Sequence, residues 1–266
     1  MRRLRWTAAL AAMATVAAVA EENAWPGPEE AWFQAPPPEI LYGEYPREAL
    51  EVLDIGDGVV VVGRQGFGGC RNLREIRGGA RLQSIRGMAF WGCRALEELE
   101  LPESLRLIGP GAFRQCRGLR RVRFGEKVEK IWWSAFRECG ALERVELPDR
   151  VEYVGNHAFR DCTALREVRL GAGLAYLGEH AFEGCTALKE VTLPDGLSRL
   201  RPETFRGCRA LECVTLGRGI EKVSGRAFLE CPALRTVRVP ASKAKARFVQ
   251  DLPPQARVEF YGKEGE

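Results

Sequence analysis

The chain has 266 residues, a formal net charge of +4 and 45% hydrophobic residues, enough to form a sizeable core. Removing the first twenty residues takes away Arg2, Arg3 and Arg5 and no acidic residue, so the net charge falls from +4 to +1. A balance this close to neutral gives no reason to expect nucleic acid as a partner. The sequence also lacks a run of about 20 apolar residues, the length that a membrane-spanning helix needs.

Residues 1–20 have the organisation of a secretory signal peptide. A basic start, Met1 to Arg5, precedes the apolar stretch from Trp6 to Ala17, and Ala18-Val19-Ala20 forms a cleavage motif. A membrane anchor fits less well, because the apolar run is only about 15 residues long. We therefore expect an exported product, secreted or at the cell surface, whose fold does not include residues 1–20.

Both ends of the remaining chain are suited to cap a repeat array. Residues 21–49 are rich in proline and acidic residues and form a predicted linker or N-terminal cap, and their aromatic side chains include Trp25, Trp32 and Phe33. Residues 241–266 are a predicted C-terminal cap and tail. They include a short predicted helix from Ser242 to Gln250 and a closing strand from Val258 to Tyr261.

Phe-x-x-Cys occurs eight times within residues 50–240, and each copy begins 23 residues after the last. The phenylalanines are Phe67, Phe90, Phe113, Phe136, Phe159, Phe182, Phe205 and Phe228, and the cysteines are Cys70, Cys93, Cys116, Cys139, Cys162, Cys185, Cys208 and Cys231. A partial repeat precedes them with apolar residues at the same offsets: Leu50, Leu53, Ile55, Val59 and Val62. A period of this length without insertions indicates a solenoid. It also argues against an enzyme, since no catalytic loop interrupts the repeat.

Each repeat is predicted to form a turn, a short strand and a return path. Phe136 and Cys139, at i and i+3, fit a single helical or 3₁₀ turn with one face inward. Val145 and Leu147 alternate with charged residues, as in a half-buried strand, and Val154 gives an inward contact on the return path. We therefore expect parallel strands paired one turn apart, with the phenylalanines stacked in one interior column.

The eight repeat cysteines favour buried free thiols over disulfides. Equivalent residues of neighbouring parallel strands are about 4.8 Å apart with parallel Cβ directions. A disulfide needs Cβ atoms about 3.8 Å apart that turn toward each other. A few strained, reducible bridges are the alternative. The ninth cysteine, Cys213, breaks the pattern and is predicted to face outward, as a thiol open to intermolecular pairing or as a neutral replacement.

The pattern A-F-x-x-C-x-x-L-x-x-[VL]-x-[LF]-P-x-x-[VL]-x-x-[IL]-G resembles the BspA-like leucine-rich repeat over residues 50–240. The resemblance implies a curved solenoid with a parallel β-sheet on the concave face and short helical or 3₁₀ turns on the opposite side. It also implies export or surface display and binding to proteins or host matrix, and it brings no catalytic residues. One departure is that the strand-closing proline alternates with glycine, which indicates a double repeat of 46 residues.

Charges alternate in sign along two outward columns of the predicted sheet. The first column contains Arg74, Glu97, Arg120, Glu143 and Arg166, and the second contains Arg77, Glu100, Arg123, Glu146 and Arg169. Opposite charges across strands contribute about 0.2–1 kcal/mol per pair and penalise a slipped register. Self-pairing that fixes the register is the favoured role, and a surface for a partner of mixed charge is the second. These ten residues, with Trp132 and Trp133, are the candidate binding residues.

Aromatic and basic side chains mark two further surfaces. Trp132 and Trp133 replace small residues of neighbouring repeats. Trp132 is predicted to lie flat over Gly109 and Gly155 of the turns before and after it. The alternative is an aromatic docking point for protein or glycan, supported by Trp91, Tyr153 and Tyr176. A basic row follows the phenylalanines and is either a solvated face or a contact for an acidic glycan or membrane surface: Arg114, Arg137, Arg160 and Arg206.

His157 and His180 occupy one position of adjacent repeats, and Glu203 follows in the next repeat, so a metal-ligand set can be drawn. Ser134 precedes them, so a Ser–His pair can be drawn as well. Two solvated turn histidines are favoured, because no oxyanion hole or supporting group is visible in the sequence. We predict no catalytic residue, metal or cofactor.

The predicted function is non-catalytic binding of another macromolecule, a protein or an extracellular surface ligand, through the solenoid surface. We expect a monomer or weak self-association. The alternative is a structural spacer of a cell envelope or wall. A hydrolase using Ser134 and His157, or a metal-binding protein, fits less well.

Overall fold

A computed structural model describes residues 3–5, 39–40 and 47–262. In chain order its strands are β1 Arg3–Arg5, β2 Glu39–Ile40, β3 Val52–Ile55, β4 Val61–Val62, β5 Glu75–Gly78, β6 Ser84–Ile85, β7 Glu98–Glu100, β8 Leu107–Ile108, β9 Arg121–Arg123, β10 Lys130–Ile131, β11 Arg144–Glu146, β12 Tyr153–Val154, β13 Glu167–Arg169, β14 Tyr176–Leu177, β15 Glu190–Thr192, β16 Arg199–Leu200, β17 Cys213–Thr215, β18 Lys222–Val223, β19 Thr236–Pro240 and β20 Arg257–Tyr261. The chain is a parallel β-solenoid, because each strand pairs in parallel with its equivalent one turn away.

The solenoid has two strand-bearing faces. The long-strand face contains the odd-numbered strands from β3 to β19 together with β20, and it is the face that the sequence predicted. The short-strand face contains the even-numbered strands from β2 to β18 and was expected only as a return path. Its strands have two residues each, such as Tyr153–Val154, so they are too short to show a period-2 pattern in the sequence.

The backbone of β1 pairs in parallel with β3, in the register Arg3 to Val52. Three residues of the predicted signal peptide thus extend the first sheet, whereas the sequence placed them outside the fold. The physical reason is that β3 begins the long-strand face and would otherwise present an unpaired edge. The predicted apolar segment, the cleavage motif, Trp25, Trp32 and Phe33 lie outside the described residues.

The phenylalanines form one continuous interior stack, as predicted. Ring centroids from Phe67 to Phe228 are 5.3–6.0 Å apart, and neighbouring rings lie within 11° of parallel. Such aromatic pairs contribute about 0.5–1.5 kcal/mol beyond the burial of their area. Each interior ring therefore depends on the turn before it and on the turn after it.

The nine cysteines are free thiols, and the eight repeat cysteines are buried. From Cys93 onward, each repeat cysteine donates its thiol proton to the phenylalanine carbonyl of the preceding turn, at Sγ–O distances of 3.0–3.4 Å. Burial raises the pKa of Cys70 and Cys231, at the two ends of the ladder, to about 11. Burial raises the pKa of the interior thiol of Cys162 still further.

The segment around each phenylalanine is a series of turns rather than the predicted helical or 3₁₀ turn. In one turn, His157 and Asp161 have positive φ values of 58° and 61°, which a right-handed helix excludes. Alternate N–H groups bond to the next turn, as in the 2.8 Å bond from Phe159 N to the carbonyl of Ala181. Those between them bond to the carbonyl three residues back, as Arg160 N does to His157. Because neighbouring turns satisfy the backbone, no local helix is needed.

The alternation of proline and glycine has a steric cause. A Cβ on Gly125, Gly171 or Gly217 would lie only 2.1–2.4 Å from the proline carbonyl oxygen of the preceding turn. No side chain fits at that distance, so each proline turn requires glycine in the next turn. This contact accounts for the double repeat seen in the sequence.

The C-terminal segment closes the solenoid. The strand β20 pairs in parallel with β19, and Tyr261 Oη donates a 2.6 Å hydrogen bond to the carbonyl of Leu216. Two 3₁₀ helices, Ala241–Lys243 and Arg247–Asp251, replace the single predicted helix, because Ala246 between them is extended. Within the described ranges, no helix has the length and apolar character needed to cross a bilayer.

The column of eight buried repeat cysteines predicts that the thiols of the chain react in two classes. In the native chain at about pH 8, we expect Ellman's reagent to modify Cys213 faster than the eight repeat cysteines, because Cys213 is partly exposed and the repeat thiols are buried. All nine should react in denaturing guanidinium chloride, and Cys213→Ser should remove the fast phase. Several fast thiols in the native chain would show that the ladder is not closed.

Candidate functional site

The structure places the ten charged candidate residues at exposed positions of the long-strand face. Across this face Arg121 lies 3.6 Å from Glu98, Arg123 lies 4.0 Å from Glu100, and Arg144 lies 3.2 Å from Glu167. These side chains are more than half exposed, so each pair contributes about 0.2–1 kcal/mol. Of the candidate residues, only Arg123 and Glu100 form such a cross-strand pair within residues 47–262, so the register role of the two columns stays a prediction.

The two charged columns differ in whether their side chains form ion pairs. In the second column Arg77 pairs with Glu75, Glu146 with Arg144, and Glu100 with Arg123. The first column consists of Arg74, Glu97, Arg120, Glu143 and Arg166. None of these five side chains forms an ion pair within residues 47–262. The five exposed charges of this column alternate in sign, and each lies one residue before a strand of the long-strand face. We refer to these five residues as the unpaired column.

The aromatic residues form a ladder on the short-strand face. The Trp132 ring lies 5.3 Å from that of Tyr153, which stacks on Tyr176 at 4.5 Å, and the guanidinium carbon of Arg201 lies 4.2 Å above the Tyr176 ring. Because the Tyr153–Tyr176 stack is covered at both ends, its ring faces are closed to a flat ligand. Trp132 thus takes the packing role that was one of its two predicted roles.

Trp133 is the more accessible of the two tryptophans, at 49% exposure, and Trp91 is 41% exposed. Trp133 directly follows Trp132 after β10, so it belongs to the short-strand face and not to the charged face. Trp91 Nε1 donates a 3.1 Å hydrogen bond to Gln115 Oε1. The candidate binding residues therefore lie on two separate faces.

The basic row is largely neutralised by acidic residues of the turns. Glu138 accepts hydrogen bonds from Gln115 and Arg114, and Arg137 Nε lies 3.3 Å from its carboxylate. Burial alone would raise the pKa of Glu138, but these hydrogen bonds and positive charges outweigh burial, and the pKa is lowered. Arg160 pairs in the same way with Asp161. These contacts weigh against a free basic surface for an acidic glycan or a membrane.

The histidines are half-buried rather than solvated. The rings of His157 and His180 stack with centroids 4.7 Å apart, and burial, followed by the charge of His180, lowers the pKa of His157. His180 Nδ1 lies 2.9 Å from Glu183 Oε2 and 3.5 Å from Glu203 Oε2. Glu183 was missed because only residues of one column were compared, although the spacing His180-x-x-Glu183 was visible.

The structure does not support the Ser–His pair. Ser134 is buried at 5% exposure, and His157 Nδ1 is buried without a hydrogen-bond partner among residues 47–262. Among residues 47–262, no hydrogen bond joins the Ser134 hydroxyl to His157, as a serine nucleophile and its base require. Cys213 lies on β17 with intermediate exposure, and burial raises the pKa of its thiol, which opposes the thiolate that a nucleophile requires.

A parallel β-solenoid with 23-residue turns, a leucine-rich interior and a charged strand face defines a leucine-rich repeat protein, a class that is typically non-catalytic. The family profile for the BspA type leucine rich repeat region matches residues 44–147 and 129–247, with six copies. The chain belongs to the BspA-type leucine-rich repeat family. No curated protein matches its sequence.

Several solved structures share the fold. A leucine-rich repeat protein of T. pallidum is 24% identical, with a TM-score of 0.52 over 79% of this chain and 88% of that chain. One from Eubacterium ventriosum is 24% identical, with a TM-score of 0.50 over 68% of this chain and 43% of its own. A leucine-rich cell surface protein of Faecalibacterium prausnitzii is 24% identical, with a TM-score of 0.48 over 81% of this chain. This chain spans 61% of the length of the last protein.

The Glu138 contacts predict a specific pH dependence. A carboxylate whose folded pKa lies below its ordinary value of 4.5 stabilises the fold above that pH, and this contribution is lost as the pH falls through the folded value. We expect Glu138→Gln to lower the unfolding free energy at neutral pH by about 1–2 kcal/mol. The difference from the unsubstituted chain should shrink below pH 4.5.

Urea unfolding at neutral pH and at about pH 3 measures this difference. Glu143→Gln is the matched control, because Glu143 is exposed and belongs to the unpaired column, and it should leave the midpoint unchanged at both values. An equal loss for Glu138→Gln at both pH values would mean that side-chain packing, and not the charge, is responsible.

Proposed function

We propose that the chain is an exported, non-catalytic binding protein that recognises another protein through its long-strand face. The observation that carries this proposal is the unpaired column. Five exposed charges of alternating sign stand immediately before neighbouring strands, where adjacent turns are about 4.8 Å apart, and no ion pair within the described solenoid uses their side chains. Membership of the BspA-type family agrees with such a role.

The physical properties of this face suit protein recognition. Side chains on paired strands have a fixed backbone, so binding orders little more than the side chains themselves. Alternating signs favour a partner of mixed charge and disfavour polyanions, because every cationic position has an acidic neighbour. Binding through such a face should weaken moderately with salt, as expected for a few exposed pairs.

A charge-reversal pair tests the face. Arg120→Glu with Arg166→Glu should weaken binding of a protein ligand at least about tenfold, because each reversal converts an attraction into a repulsion. Arg199→Glu with Lys222→Glu is the matched control, since both residues are exposed and adjacent on the short-strand face. It should leave the dissociation constant within about twofold. Affinity chromatography of surface and matrix proteins supplies the ligand, and surface plasmon resonance supplies the dissociation constant.

Two outcomes would contradict the assignment. If the control pair abolishes binding and the Arg120/Arg166 pair does not, the ligand occupies the short-strand face, where Trp133→Ala becomes the informative variant. If no protein is retained by the unsubstituted chain, and sedimentation shows end-to-end association instead, the spacer alternative replaces the binding role.

Export rests on the sequence of residues 1–20, and its test is independent of binding. Expression in a bacterial host with intact secretion should give a product outside the cytoplasm that begins at Glu21, as measured by intact mass and N-terminal sequencing. Ala18→Lys with Ala20→Lys should block this processing, because the cleavage site requires small residues. A product that retains Arg3–Arg5 would show that β1 is a permanent strand of the fold.

A further inference from the structure

Two histidines and two glutamates converge on the turn side of the solenoid, between the turns that contain His157 and Glu203. His157 and His180 occupy the same left-handed backbone position of adjacent turns, with φ values of 58° and 57°. Because both backbones are held by hydrogen bonds between turns, the two imidazoles are kept side by side. We refer to His157, His180, Glu183 and Glu203 as the histidine cluster.

The donor atoms of this cluster lie close together. One nitrogen of each histidine and a carboxylate oxygen of Glu183 all lie within 4.8 Å of one another. A fourth carboxylate, Glu203, is 3.5 Å from His180 Nδ1 and only 7% exposed. Two imidazoles with carboxylate oxygens form a set that suits zinc, nickel, cobalt or copper better than magnesium or calcium.

A second observation points to a missing ligand. His157 Nδ1 is buried and has no hydrogen-bond partner among residues 47–262, although two carboxylates lie in the next turns. A buried polar atom without a partner costs about 1–3 kcal/mol, which makes it uncommon in a settled structure. The lone pair of a neutral imidazole nitrogen at this position would coordinate a cation bound there.

We propose that His157, His180 and Glu183 bind one divalent transition-metal ion of the zinc class, with Glu203 as an adjacent carboxylate. Zinc–nitrogen and zinc–oxygen bonds are about 2.0–2.2 Å long, so ligands around one ion stand about 3.4 Å apart. The donor atoms now lie within 4.8 Å of one another, so binding requires the side chains to approach by about 1.4 Å at most. The imidazoles, now 16° from parallel, tilt toward each other, because a bound ion lies in the plane of each ring.

The surrounding arginines orient the carboxylates. Arg160 Nε lies 3.3 Å from Glu183 Oε2, and Arg206 Nη1 lies 3.0 Å from Glu203 Oε2. The Arg206 contact is a hydrogen bond and the Arg160 contact is an ion pair without one; hydrogen-bonded outer partners hold metal ligands in place. Four carboxylates and four guanidinium groups surround the cluster, so the local charge is balanced with neutral histidines: Asp161, Glu183, Glu203 and Glu230 against Arg137, Arg160, Arg206 and Arg226. Ligand bonds to the two imidazoles and Glu183, rather than an excess of negative charge, would therefore hold the ion.

Titration of the EDTA-treated full chain with zinc, in competition with a chromogenic chelator, tests the proposal. We expect one equivalent per chain and a rise in the thermal midpoint with zinc. Cobalt should give visible d–d bands of a nitrogen and oxygen site, without the near-ultraviolet thiolate band that coordination by Cys213 would produce. His157→Asn and His180→Asn should each weaken binding at least about tenfold, as loss of metal ligands does. Asparagine tolerates the left-handed backbone, so these variants should fold.

Met88→Asn is the matched control, since Met88 has the same left-handed backbone in an earlier turn, with φ 56°. It should bind zinc as the unsubstituted chain does. Glu183→Gln removes a ligand without touching either histidine backbone, and it should also weaken binding about tenfold or more. The proposal is overturned if no stoichiometric zinc binds. It is equally overturned if the histidine and Glu183 variants bind zinc as well as Met88→Asn does.

Discussion

Each turn of this solenoid can bury its apolar side chains only against the equivalent side chains of the next turn. The phenylalanine rings, 5.3–6.0 Å apart, and the thiol bonds to the preceding phenylalanine carbonyls repeat this constraint along the axis. It explains why the 23-residue spacing admits no insertion, since one extra residue would displace a ring, a thiol and a strand together. It also explains the pairing of proline and glycine, because turns at this separation leave no room for a Cβ opposite the proline carbonyl.

The phenylalanine and cysteine columns fill the interior, so only outward side chains can make selective contacts. The faces of the solenoid use their outward side chains differently. On the turn side, charged side chains pair with one another, as Glu138 does with Arg114 and Arg137. The short-strand face covers its aromatic rings with one another, from Trp132 to Tyr176. Within residues 47–262, the five charges of the unpaired column on the long-strand face make no ion pair. The faces therefore differ in how many of their charges lack an ion-pair partner rather than in how many charges they carry. The amino-acid composition alone does not reveal this difference.

The sequence predicted what depends on strict periodicity. The phenylalanine column, the parallel register and the exposed charged columns follow from side chains that recur every 23 residues, and the structure has all three. It did not predict features that depend on backbone conformation. The i, i+3 spacing of Phe136 and Cys139 fits a helical turn and a left-handed turn series equally well, and two-residue strands such as Tyr153–Val154 leave no alternation to detect. The convergence of Glu183 on the histidines is a three-dimensional property, because it joins residues from two columns.

The thiol ladder also determines what happens when the chain opens. While the turns are stacked, equivalent cysteines point the same way and cannot pair, so the fold protects its own reduced state. Once several turns separate in an oxidising environment, neighbouring thiols 23 residues apart become free to join. Each bridge then closes a loop that the stacked turns cannot contain, and refolding requires that the bridge be reduced first. Unfolding thus becomes a one-way event, and the lifetime of the protein outside a reducing compartment is governed by how rarely it opens rather than by its equilibrium stability.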